Sequence, residues 1–171
     1  VCSSDLAEGT SIFYGDVVKL NATGTLTKDT GTSAATPVGV FLGCTYTNPS
    51  TNQKINAQYY PAGTVASDIQ AYVCDDNLVL MQVAVTGAGT STMNGVTRAA
   101  VGMNTALIQG TGSSTTGDSA VSVSATTATN AALPIRIIDV VPETVNAAGS
   151  YTEVIVKWNF GMHQYDNATG V

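Results

Sequence analysis

Apolar and polar residues alternate along short segments of the chain, which is the spacing of a half-buried β-strand. The pattern is cleanest at residues 151–158, where Tyr151, Glu153, Ile155 and Lys157 fall on one side and predict a solvated face. Turn-forming residues separate the alternating segments at fairly regular intervals. We therefore predict strands within Ile12–Leu20, Thr25–Lys28, Val38–Tyr46, Lys54–Tyr60, Gln70–Cys74, Leu78–Val85, Leu133–Val141 and Tyr151–Trp158.

The order of these segments favours an all-β fold. The first two predict a hairpin around the turn Asn21–Gly24, and residues 54–60 read as the return strand of residues 38–46. Helix signals are weak: one short helix around Val96–Ala100 is the most that the flanking glycines allow. For a chain of 171 residues, this pattern predicts a single domain, an antiparallel β-barrel or β-sandwich with long Gly/Ser/Thr-rich loops.

Three stretches stand apart from the strand pattern. Residues 110–130 consist mostly of Gly, Ser, Thr and Ala, and we expect a long surface loop carrying a short strand at Ala120–Ser124. Asn146–Ser150 is expected to join the last two strands. Val1–Leu6 resembles the translation of a common sequencing-adapter end, so we expect an assembly scar in place of the true N-terminus and exclude it from functional reasoning.

Composition narrows the classes of partner. Charged residues make up 11% of the chain, Thr is the commonest residue, and the net charge is −6. The six Lys and Arg residues are scattered, whereas nucleic acids and anionic membranes require clustered positive charge. The longest apolar runs, such as Leu78–Met81, are far too short to cross a bilayer, and we see no signal peptide. We predict neither a nucleic-acid nor a membrane partner.

The cysteines do not form a disulfide framework. Cys2, Cys44 and Cys74 are an odd and sparse set. Cys44 and Cys74 lie in apolar strand segments, which favours buried free thiols in a protein made in a reducing cytosol. A single Cys44–Cys74 bridge in an exported particle is the alternative.

Candidate chemistry is sparse. His163 is the only histidine, and no Gly-x-Ser-x-Gly motif supplies a nucleophile for it. Asp75, Asp76 and Asn77 favour a turn over a calcium site, since their spacing matches no calcium-binding loop. Residues 110–117 are Gly-rich but lack the ending of a phosphate-binding loop. We predict no catalytic, cofactor-binding or metal site, and no enzyme.

Several segments together resemble a known family. They are Tyr14–Leu20, Thr36–Cys44, Thr116–Val121, Leu133–Ile138, Lys157–Asn159 and His163–Tyr165. Over most of residues 12–165 the chain is similar to the decoration, or cement, proteins of tailed phages, and in particular to marine podovirus-type representatives.

The resemblance implies a β-rich structural protein of the virion exterior, made in the bacterial host cytoplasm. It implies binding to the outside of the mature shell and bridging of neighbouring major capsid subunits, without catalytic or cofactor residues. A homo-oligomer, such as a trimer at a threefold position, would multiply the contacts. Ser11–Tyr14 and Gly110–Asp118 are our candidate contact segments, with ordinary solvated surface as the alternative.

Two other functions remain open. A head-fibre, tail or adhesin-like module could bind a glycan or receptor through Tyr46, Tyr59, Tyr60 and Tyr72, although core positions suit these residues better. A small hydrolase would have to use His163 with a serine or an acid.

Overall fold

The computed structural model describes residues 2–4, 6, 9–87, 89, 92–145 and 151–170. These residues form eleven strands and two short 3-10 helices, so the predicted all-β fold is confirmed. The 3-10 helices are Arg98–Ala100, inside the predicted helical region, and Pro142–Thr144. The strands are β1 Cys2–Ser4, β2 Val17–Leu20, β3 Leu26–Lys28, β4 Gly39–Thr47, β5 Lys54–Ala57, β6 Gln70–Cys74, β7 Met81–Thr86, β8 Asn104–Gln109, β9 Val121–Ala128, β10 Ile135–Val140 and β11 Glu153–Trp158.

The N-terminal strands form an antiparallel sheet in the order β1-β6-β4-β2-β3, and β5 also pairs with β4. The predicted β2–β3 hairpin and the predicted β4–β5 pair are both present. Residues 2–4 belong to the segment that we exclude from functional reasoning, yet they pair with β6, and Leu6 is buried. The predicted connection Asn146–Ser150 lies outside the described residues.

The remaining strands close into a barrel in the order β10-β11-β7-β9-β8. Four of its neighbouring pairs are antiparallel, but β7 and β9 run parallel. A closed ring of five strands cannot alternate in direction throughout, so one parallel pair is unavoidable. The barrel is thus antiparallel at four of its five strand pairs, and the β7–β9 pair is the parallel one.

Two barrel strands differ from the sequence expectations. β8 is absent from the predictions, and β9 is an eight-residue strand inside a stretch expected to hold only a short one. Their buried hydroxyl groups are tolerated because each has a hydrogen-bond partner. Thr105 Oγ1 donates to the Ser124 carbonyl at 2.7 Å, and the hydroxyls of Ser122 and of Thr86 on β7 are hydrogen-bonded at 2.8 Å. Composition alone favours a loop for segments rich in such polar residues, because it does not show that their side chains are paired inside the barrel.

The segment predicted as one strand at Ile12–Leu20 is interrupted. Ile12 and Tyr14 each make only an isolated bridge, and β2 begins at Val17. Gly15 has a φ of +91°, and the Asp16 N–H donates to the Phe13 carbonyl at 2.9 Å, so the chain turns there. This turn places Tyr14 at the surface.

The two sheets are joined through strands that contribute to both apolar cores. On β2, Val17 packs in the barrel core and Val18 in the core of the N-terminal sheet. On β4, Phe41 belongs to the sheet core while Val40 packs against the barrel core. Alternate side chains of one strand point to opposite faces, so β2 and β4 lie between the two cores.

Cys44 and Cys74 are free thiols; Cys44 is buried as expected, whereas Cys74 is only half-buried. Within the described residues, no helix is long and apolar enough to cross a membrane.

Candidate contact surface

The two segments predicted to make contacts lie side by side in the structure. The Tyr14 N–H donates to the Gly117 carbonyl at 3.0 Å, and the Ser119 N–H donates to the Tyr14 carbonyl at 2.9 Å. Gln58 Nε2 extends the link by donating to Asp118 Oδ1 at 2.7 Å. Segments about a hundred residues apart in sequence therefore form one continuous surface.

The buried ion pair between Asp16 and Lys28 fixes both segments to the underlying strands. Asp16 has no exposed surface; one carboxylate oxygen accepts the Phe13 N–H at 2.9 Å and the other lies 3.0 Å from Lys28 Nζ. The same ammonium lies 3.5 Å from the Gly110 carbonyl oxygen. Because a buried charge must be paired, this contact fixes the turn before β2 against the start of the 110–118 loop.

An aromatic stack supports the same loop. The Phe13 ring is buried and stacks on Tyr59, with ring centroids 5.4 Å apart. A Cβ on Gly112 would lie 2.3 Å from Phe13 Cδ2, so only glycine lets the loop approach the ring this closely. The loop is seated on apolar side chains and does not extend freely into solvent.

A β-bulge shapes the adjoining part of the N-terminal sheet. Phe41 pairs with Val73 and Gly43 with Tyr72, which leaves Leu42 as the extra residue on β4. Gly43 has a φ of +136°, and a Cβ there would lie 2.9 Å from the Ala57 carbonyl oxygen. The bulge turns Leu42 outward beside Tyr72, since bulges redirect side chains.

These features surround a groove of about 510 Å³, which we call the Tyr14 groove. Its apolar side chains are unusually exposed: Tyr14 by 45%, Leu42 by 37% and Tyr72 by 38%. Carbonyl and amide groups supply the rest, and none of the lining residues has an Asp, Glu, Lys or Arg side chain. The lining residues are Tyr14, Leu42, Gly43, Cys44, Asn56, Ala57, Gln58 and Tyr72.

The thiol at the base of the groove is not set up for chemistry. Burial raises the pKa of Cys44 to about 11, and Sγ lies 3.8 Å from the Tyr59 carbonyl oxygen. At neutral pH this cysteine is a protonated, weak nucleophile, because reactivity belongs to the thiolate. Its surroundings are those of a packing residue.

His163 has a structural environment. It is buried, its Nε2 lies 2.8 Å from the Val38 carbonyl oxygen, and its Nδ1 accepts the Tyr165 N–H at 3.3 Å. The next residue, Gln164, bonds to both backbone groups of Leu20. Both ring nitrogens are thus engaged with backbone while the segment after β11 docks on β2.

The remaining sequence candidates do not assemble a reactive cluster. Asp76 Oδ1 accepts the Leu78 N–H at 2.8 Å, as the turn interpretation predicts, and Asn77 binds Asp166. In the part of the chain that the structure describes, no three His, Cys, Asp or Glu residues are grouped to hold a metal ion.

Of the four tyrosines proposed for a receptor site, only Tyr72 is exposed. Tyr46 and Tyr60 are buried and pack edge to face with centroids 6.5 Å apart, while Tyr59 stacks on Phe13. The exposed apolar residues that lie beside Tyr72 are instead Tyr14 and Leu42. The glycine at position 43 was the available signal for Leu42, because glycine inside a strand pattern often marks a bulge.

Comparisons of the chain with models of known protein families, with curated protein sequences and with solved structures find no match.

Proposed function

We propose that this chain is a structural virion protein that binds the outer surface of the mature phage capsid and cements neighbouring major capsid subunits. The observation that carries the proposal is the convergence of Ser11–Tyr14 and Gly110–Asp118 beside the Tyr14 groove. Both segments belong to the sequence that resembles decoration proteins.

The chemistry of the groove suits a protein partner. Interface cores are depleted of charge and enriched in aromatic residues. The lining of the Tyr14 groove likewise has no charged side chain and contains two tyrosines, Tyr14 and Tyr72, beside the aliphatic Leu42. The buried Asp16–Lys28 pair and the Phe13–Tyr59 stack hold this surface before any partner arrives. A preformed surface loses less conformational entropy on binding.

The same proposal covers assembly and location. A cement protein contacts the major capsid protein many times over one shell, so modest contacts are reinforced by multivalency. We propose a homo-oligomer, with a trimer at a threefold position as the specific form, on the capsid exterior after synthesis in the host cytoplasm. The low charge of the chain limits repulsion between crowded copies.

The proposal predicts that Leu42→Ser weakens binding to expanded capsid shells built from the major capsid protein of the same genome. Removing an anchor near the centre of an interface typically costs more than 1 kcal/mol, so we expect about tenfold weaker binding. Quantitative co-sedimentation measures the change, and circular dichroism verifies the fold.

Leu78→Ser is the matched control, because Leu78 is 70% exposed and lies outside the groove. We expect its binding to equal that of the wild type. Equal losses for both variants, or no loss for either, would exclude the Tyr14 groove as the capsid contact.

A second candidate function is a head-fibre or tail module that binds a glycan or receptor. Tyr14 and Tyr72 beside the amides of Asn56 and Gln58 favour it, because sugars bind to aromatic faces and side-chain amides. A glycan array distinguishes the two: the capsid proposal predicts no specific hits.

A further inference from the structure

Asn94 is the one asparagine in the chain that a glycine follows. It lies between β7 and β8, in the stretch 94–97 that belongs to no strand or helix. Asn94 is exposed, so water reaches its side-chain amide. Gly95 has no Cβ, which leaves its main-chain nitrogen open to approach from that amide. The position therefore joins an amide and an unhindered backbone nitrogen at the solvent surface.

The Asn94 side chain folds back over the main-chain nitrogen of Gly95. The Gly95 N–H donates to Asn94 Oδ1 at 2.8 Å. Oδ1 is bonded to Cγ, which is the carbon that an attacking nitrogen must reach, so the two reacting groups are already adjacent. Proximity of this kind removes much of the entropic cost of closing a ring. The hydrogen bond thus holds the side chain near the geometry that cyclisation requires.

The backbone is anchored before this nitrogen and not at it. The Asn94 N–H donates to the Val85 carbonyl at 3.0 Å, and Met93 forms a bridge with Thr86, so Asn94 is fixed on the end of β7. Gly95 lies in no strand, and its N–H is directed to the neighbouring side chain. Ring closure at this nitrogen therefore breaks no strand pairing.

We propose that Asn94 and Gly95 form a site of spontaneous deamidation in the folded protein. The Gly95 nitrogen loses its proton to hydroxide and attacks Asn94 Cγ; a new N–C bond forms, the Cγ–Nδ2 bond breaks, and ammonia leaves with a proton from water. Water then opens the cyclic succinimide at either carbonyl, which gives aspartate or isoaspartate at position 94. Each event adds one negative charge to the net charge of −6.

The isoaspartate product changes the main chain as well as the charge, because it places the side-chain carbon of residue 94 in the backbone. The bond from the Asn94 N–H to Val85 precedes that point, so the change falls on residues 95–97. These residues lead into the 3-10 helix Arg98–Ala100. None of residues 93–97 lines the Tyr14 groove, so the modification site is independent of the proposed function.

The test incubates the folded full chain at pH 6 and at pH 8, and follows it by tryptic digestion and mass spectrometry. Cleavage after Lys54 and Arg98 gives one peptide that carries Asn56, Asn77 and Asn94, so two asparagines serve as internal controls. Asn56 is also exposed, but it lies in β5 and is followed by alanine. We expect a gain of about 1 Da at Asn94 alone, as an amide becomes a carboxylate. The gain should be faster at pH 8, because the attacking nitrogen must be deprotonated.

Two variants locate the reaction, with circular dichroism to verify the fold. Gly95→Ala should slow the gain about tenfold, because a Cβ hinders the approach to the nitrogen. Asn94→Gln should remove the gain at this position. An unchanged rate in folded Gly95→Ala overturns the proposal, as do equal gains at Asn56 and Asn94. An unaltered Asn94 in the folded chain, under conditions in which the urea-unfolded chain converts, also overturns it, since the fold would then protect the site.

Discussion

Individual buried polar residues hold the candidate contact segments in position. Asp16 is the clearest case, because its two carboxylate oxygens bind the Phe13 N–H and the Lys28 ammonium. Lys28 is itself only 11% exposed, so neither charge has bulk water as an alternative partner. The pair contributes to stability because the loss of either partner would leave a buried charge without a counter-charge.

We predict that Asp16→Asn lowers the free energy of unfolding by about 3 kcal/mol, since it strands the Lys28 charge. Urea denaturation measures the change. Asp139→Asn is the control, because Asp139 pairs with Arg98 at the exposed surface and should cost less than about 1 kcal/mol. Equal effects of the two substitutions would contradict the structural role of the buried pair.

Cys44 predicts a loss of stability at alkaline pH. Its pKa is about 11 in the folded chain, raised by burial above the value of 9.0 for a free thiol. Below pH 9 the thiol is protonated in both states. As pH rises from 9 towards 11 only the unfolded chain releases the proton, so stability falls by on the order of 2 kcal/mol.

The measurement is a series of unfolding free energies between pH 8 and pH 11 for the wild type and for Cys44→Ala. Burial also raises the pKa of Tyr46, so some decline remains in the variant. We expect the variant to decline less steeply across this window. Parallel curves would show that the Cys44 thiol does not cause the loss.

At this scale, the sequence predicts which residues are polar but not where their partners lie. Thr105 lies in no predicted strand and Ser122 only in a short one, and the pairing of β7, β8 and β9 brings their hydrogen-bond partners within bonding distance. The Asp16–Lys28 pair is likewise invisible, because twelve positions separate the two residues and only the β2–β3 hairpin brings them together.

At the scale of secondary structure, the bulge on β4 determines which side chains the N-terminal sheet exposes beside Tyr72. If β4 paired regularly with β6, Leu42 would occupy a ladder position opposite a β6 residue, and the alternation of β4 would continue uninterrupted. Gly43 permits the bulge through its positive φ and through its close approach to Ala57.

We predict that Gly43→Ala costs about 2–4 kcal/mol, because it combines an unfavourable φ with a clash against the Ala57 carbonyl oxygen. Gly63→Ala separates the two causes: its φ is +75°, but a Cβ there meets nothing within 4 Å. The control should cost about 1 kcal/mol in thermal or urea unfolding. A smaller effect at Gly43 than at Gly63 would contradict the described packing of the bulge.

Strands with strong apolar alternation are predictable from sequence. The positions of β4, β6, β10 and β11 follow the pattern to within a few residues, because one or both faces of each strand are buried in apolar cores. β8 escapes prediction because Asn104 and Thr105 begin it with buried, hydrogen-bonded polar side chains. Strand pairing in the barrel depends on contacts distant in sequence, which no local pattern encodes.

At the scale of the whole molecule, low charge and a two-core architecture define the surface available to partners. Lys19, Lys28, Lys54 and Arg98 each pair with an aspartate, which uses much of the positive charge internally. The all-β class follows from the sequence, and so do the two candidate contact segments. Their meeting beside Leu42 and Tyr72 does not, because it requires both the barrel and the bulge.

The most direct test of the proposed function compares two forms of the shell. The full chain is co-sedimented with expanded and with unexpanded capsid shells assembled from the major capsid protein of the same genome. Our proposal predicts saturable binding to the expanded shell and little binding to the unexpanded one, since a cement recognises the mature lattice. Absence of binding to either shell would contradict the proposal and favour the glycan- or receptor-binding module.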